Sequence, residues 1–104
     1  MGNYVLAYRG GGMGETEAAQ QEAMTQWMNW FGALGAAVVD GGAPFGASST
    51  VRSDGSITDG GVSSLTGYTI LSADSLADAV DKAKGCPVLT SGGSVDVYEA
   101  MPMG

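Results

Sequence analysis

The sequence predicts an α+β domain: a sheet with two helices on one face. Three observations support this. Apolar residues recur at three- and four-residue spacing from Ala23 to Leu34 and again from Leu76 to Ala83, as on two amphipathic helices. The runs NYVLAY, TGYTIL and SVDVYEA alternate with period two, as strands do. In chain order the segments read β, α, β, hairpin, β, α, β. With 104 residues, 44% of them hydrophobic, the chain suits one domain over 1–104 with its own core.

The first strand is expected over Asn3–Tyr8, with Tyr4, Leu6 and Tyr8 on one face and Val5 and Ala7 on the other. Gly10, Gly11, Gly12 and Gly14 follow it. That position resembles a phosphate cradle, but Glu15 stands where the last glycine of a G-x-G-x-x-G frame belongs, and Glu15 and Glu17 would repel an anion. A plain connector is the simpler reading.

The first helix should begin near Glu15–Thr16, and Gly35 should end it. Its stripe is Ala23, Met24, Trp27, Met28, Phe31 and Leu34, with Trp30 on the flank. Trp27, central in the stripe, is expected to be structural. Trp30 or a methionine is the candidate for the border of a ligand cavity. A short strand is expected over Ala36–Asp40, closed by Asp40-Gly41-Gly42, with Val38 and Asp40 on one face. There Asp40 would cap the turn by accepting backbone N–H bonds.

Asp54-Gly55 between Thr50–Arg52 and Ser56–Thr58 marks a hairpin. Thr66–Leu71 reads as a central strand. Asp74 or Ser75 should cap the second helix, whose inner face is Leu76, Ala79, Val80 and Ala83, and which Gly85 and Pro87 terminate. Ser94–Ala100 is the last strand.

The smaller pairs Val5/Ala7, Thr69/Leu71 and Val95/Val97 are expected beneath the helices. Tyr4/Leu6/Tyr8, Tyr68/Ile70 and Asp96/Tyr98/Ala100 are expected on the opposite side. Two helices cover one side of a sheet, so a second copy of the chain is the simplest cover for the other, giving a homodimer.

The net charge of -7 and four scattered basic residues (Arg9, Arg52, Lys82, Lys84) argue against nucleic-acid and membrane partners. The single cysteine, Cys86, fits a reducing, cytoplasmic setting and reads as an inert buried thiol. The chain has no histidine, which excludes His-based triads and His-ligated metals; no metal or cofactor is expected.

The combination NYVLAYRG, W-x-x-W-F-x-x-L-G-A-x-V-V-D-G-G, T-V-R, T-D-G and G-Y-x-I-L-x-A-D-S-L-x-x-A resembles the YCII-related superfamily, and within it the DGPF (DGPFAETKE-like) branch. The closing segment from Gly85-Cys86-Pro87-Val88 to Met101-Pro102 is also similar to that branch. The resemblance spans nearly the whole chain. It implies a ferredoxin-like fold that pairs into a dimeric α+β barrel, and, by analogy with relatives that accompany extracytoplasmic-function sigma factors, a regulatory association. The His–Asp pair of classical members has no counterpart here, since Arg9-Gly10 follow the first strand and histidine is absent. The DGPF signature itself survives as Asp59-Gly60, followed by Gly61-Val62.

Three functional readings follow. One is a small-molecule-binding or accessory protein without chemistry of its own. Another is an enzyme for proton transfer on a small organic substrate, with Asp40 as base and Tyr8 or Tyr68 as acid. The third is a structural or protein-interaction module. For any ligand, the candidate site is Tyr8, Arg9, Asp40 and Tyr68, where strand ends converge beside the glycine-rich loop. Arg9 could grip a carboxylate or phosphate there, or simply neutralise Asp40 or another acid.

Overall fold

Four antiparallel strands in the order β2–β5–β1–β6 form the main sheet of the computed structural model, which describes residues 2–11, 15–59 and 65–102. The strands are β1 (Gly2–Arg9), β2 (Val38–Pro44), β5 (Leu65–Ala73) and β6 (Ser94–Ala100). Helix α1 (Glu17–Leu34) joins β1 to β2, and α2 (Leu76–Ala83) joins β5 to β6. This is the ferredoxin-like split β-α-β arrangement, with both helices on one face. The small hairpin β3 (Ser49–Val51) and β4 (Ile57–Asp59) forms its own two-stranded sheet between β2 and β5. Its turn is at Asp54-Gly55, with Gly55 at φ 88.

Local chemistry sets the helix ends. Thr16 caps α1 by accepting from the Ala19 N–H, and Gly35 at φ 56 closes it. Ser75 caps α2 by accepting from the Asp78 N–H. Asp78 in turn accepts from the Asp74 N–H and from Lys82 Nζ at 2.8 Å, and the Lys82 contact holds its carboxyl below the usual range.

The core lies between the helices and one sheet face. Leu6, Tyr8, Leu71, Trp30, Ala83, Cys86 and Val88 form its larger part, and Tyr4, Ala73 and Ala79 a smaller one. The expected face of β1 is thereby reversed. In register, Val5 lies opposite Ile70 and Tyr98, and Ala7 opposite Tyr68 and Asp96. Tyr4, Leu6 and Tyr8 therefore sit beneath the helices with Thr69, Leu71 and Val97. Both faces of β1 are apolar, so its own alternation gives no direction; β5 and β6 take the orientation expected.

Two further expectations change. Strand β2 does not stop at Asp40 but continues to Pro44, because register shifts on both sides of Asp40 absorb extra residues as bulges. Val38 packs toward the core while Asp40 lies opposite Ile70 on the helix-free face, so the two do not share a face. On α2 only Ala79 and Ala83 are buried, while Leu76 and Val80 stay open beside Tyr98 along a second groove.

Candidate functional site

Helix α1 stands off from the sheet. Its one buried residue is Trp30, whose Nε1 donates to the Lys82 carbonyl at 3.1 Å. A Cβ on Gly85 would come within 3.0 Å of the Trp30 ring, so that glycine admits the indole as well as following the helix. The ring anchors α1 beside the end of α2. Of the stripe, Leu34 packs against the core, while Met24, Trp27, Met28 and Phe31 face the sheet across a gap.

The gap has a cause in the sequence. Opposite Met24, Trp27, Met28 and Phe31 the sheet offers Gly41, Gly42, Ala43, Gly67 and Thr69, which are too small to fill the space. A cavity of about 420 Å³ results, within the range of small-molecule sites. Trp27 meets the Tyr8 ring edge-on, with centroids 5.4 Å apart, and lies tilted against Phe31 at 5.7 Å. The indole thus belongs to the cavity wall, contrary to the expectation that Trp27 is purely structural. Met24 and Met28 border the cavity too, whereas Trp30 packs in the core.

The bulge at Asp40-Gly41-Gly42 shapes one wall. Gly42 has φ 76, and a Cβ there would lie 1.7 Å from the Tyr68 carbonyl oxygen. Asp40 Oδ1 accepts the Gly42 N–H at 2.8 Å, the capping role read from the sequence. At the opposite wall, Gly10 and Gly11 press against the 88–93 turn: a Cβ on Gly11 would lie 2.5 Å from Val88 Cγ2. Gly11 thus serves close approach, whereas Gly10, where a Cβ would stay 3.6 Å from Gly93, serves its positive φ of 65. Gly12 and Gly14 lie outside the described residues, as do Gly60 to Ser64, which cover most of the stretch compared above with the DGPF signature.

The polar groups of the wall satisfy one another. The Tyr8 hydroxyl donates to Thr69 Oγ1, which donates to the Gly41 carbonyl at 3.0 Å. Thr66 Oγ1 reaches the Gly10 carbonyl at 3.1 Å, and Ser91 Oγ the Val88 carbonyl at 3.2 Å. Burial pushes the Tyr8 phenol well above its ordinary value, and burial likewise pushes up the Cys86 thiol beside it. Neither group is poised for proton transfer near neutral pH.

The four residues expected to share a site are divided by the sheet. Tyr8 lies on the helix side and borders the cavity. Tyr68 borders it from the strand, while its hydroxyl reaches Asp40 Oδ2, at 3.3 Å, on the helix-free face. Arg9 also lies on that face, where Nε donates to Asp96 Oδ2 at 2.7 Å; this ion pair raises the Arg9 pKa. Neither Arg9 nor Asp40 is part of the cavity wall. The acid that meets Arg9 is therefore Asp96, on the neighbouring strand. Reading the glycines of β2 and β5 against the α1 stripe would have revealed the cavity, since large residues facing glycine leave a void.

Among the described residues no group of three or more His, Cys, Asp or Glu is placed to hold a metal ion. Nor, among the described residues, is any helix long and apolar enough to cross a membrane. No protein-family model matches the chain, and no curated protein matches it.

Proposed function

We propose that this chain is a small-molecule-binding protein of the YCII-related, DGPF-like kind, acting in the cytoplasm as a homodimer. The observation that carries the reading is the cavity of about 420 Å³ between the α1 stripe and the glycine-lined sheet. The motifs and the order of elements support the family. The helix-free face supports the homodimer, since among the described residues no helix lies over Val5, Tyr68 and Ile70. Binding without chemistry is favoured over proton transfer, because Tyr8 and Asp40 stand on opposite faces, the Tyr8 phenol is held neutral, and Asp40, which does meet the Tyr68 hydroxyl, lies outside the cavity wall.

The experiment is a thermal-shift screen of small organic molecules. A ligand present at 100 times its Kd stabilises by about 2.7 kcal/mol, so modest binders register. Hits whose chemical-shift changes fall on the cavity residues are expected. A broad library with no hit there would overturn the reading.

A further inference from the structure

We infer that the cavity selects an uncharged, ring-bearing organic molecule, held against the Trp27 indole without an ion pair. The inference rests on the small-molecule reading above and specifies its ligand class.

Wall chemistry is the first reason. None of the described residues bordering the cavity is charged, so a buried carboxylate, phosphate or ammonium would meet no counter-ion. The hydroxyls of Tyr8, Thr66, Thr69 and Ser91 already donate within the protein. They have spare acceptor lone pairs but no spare O–H, so an anion would find no donor among them. The protein's charge of -7 adds long-range repulsion against anions.

Shape is the second reason. Trp27 and Phe31 line the helix side and meet the Tyr8 ring, which rises from the sheet, while Gly41, Gly42 and Gly67 leave the rest of the sheet side open. A flat ring fits between them, stacking on aromatic surface and covering apolar backbone. Met24 and Met28, both largely exposed, give the rim an adaptable apolar lining.

Three probes sharing one ring system test this: 1-naphthalenemethanol, 1-naphthoate and 1-naphthylmethylammonium, each titrated into the full chain. Amide shifts of Gly10, Gly11, Gly41, Gly42 and Gly67 report both affinity and place. The alcohol is expected to bind at these amides at least about tenfold more tightly than either ion, given the cost of burying an unpaired charge. If the naphthoate or the ammonium binds at these amides as tightly as the alcohol, the uncharged class is wrong and the site stands. If no probe moves them, the ligand class inferred here is overturned, while the small-molecule reading itself stands or falls with the broad library.

Met24→Trp, a change at a position 54% exposed, should fill the mouth and weaken the alcohol at least about tenfold without altering the fold. Undiminished binding in a folded Met24→Trp variant would overturn the inference. Should that variant fail to fold, Trp27→Phe and Trp27→Leu take its place. Phe should retain most of the affinity and Leu should lose it, whereas equal affinities would overturn the role given to ring stacking.

Discussion

Gly41 and Gly42 are adjacent in the bulge of β2 and make opposite demands. Gly42 needs both its positive φ and its missing Cβ, since a Cβ would collide with the Tyr68 carbonyl. A Cβ on Gly41 would meet nothing within 4 Å. Urea denaturation should show Gly42→Ala losing about 3 kcal/mol or more, and Gly41→Ala changing by less than about 1 kcal/mol. Tyr8 and Cys86 make a second expectation at this scale. Burial raises both folded pKa values above their ordinary 10.0 and 9.0, so unfolding releases protons at alkaline pH. Their stabilisation is complete below about pH 9 and is lost as pH rises toward the folded values. Melting temperature should fall as pH rises above about 9, and less steeply in Tyr8→Phe.

Among the elements, α1 is the one whose role depends on two neighbouring tryptophans. Trp30→Ala should cost about 3–5 kcal/mol, because it opens the core and frees α1 from the end of α2. Trp27→Ala should cost about 1–2 kcal/mol, since its ring is only half-buried and already faces a void. Thermal melts of the two variants would check the order. The sequence shows plainly where α1 lies, because its caps and stripe are local signals. It does not show which edge of the stripe meets protein, because adjacent positions of a broad apolar stripe look alike in one dimension. Strand β2 illustrates another limit. Its faces are interchanged by bulges, and a bulge is decided by pairing with β5, which the β2 residues alone do not encode. The hairpin is the counter-example: Asp54-Gly55 carries its turn locally, and β3 and β4 fall within one residue of where that dipeptide places them.

The whole molecule has two layers, with Cα extents of 44 × 42 × 18 Å. Its third layer, on the homodimer proposal, is another copy. Melting temperature should then rise with protein concentration. Ile70→Glu, in the middle of the helix-free face, should give a monomer by light scattering with a lower melting temperature. A wild-type melting temperature that is flat over a hundredfold range of concentration would count against the pairing. At this scale the sequence already indicated that both helices share one sheet face. It named the wrong residues of β1 for that face, since neither side of the strand is polar.

The strand order has a consequence for biosynthesis. Strand β1 leaves the ribosome before both of its neighbours, residues 65–73 and 94–100. No local partner can occupy its edges in the interval, so the nascent sheet cannot close around β1 until β6 has emerged. Stalled chains ending near residue 90 should therefore stay open to protease along Asn3–Arg9, and chains extended past the tunnel should become resistant abruptly.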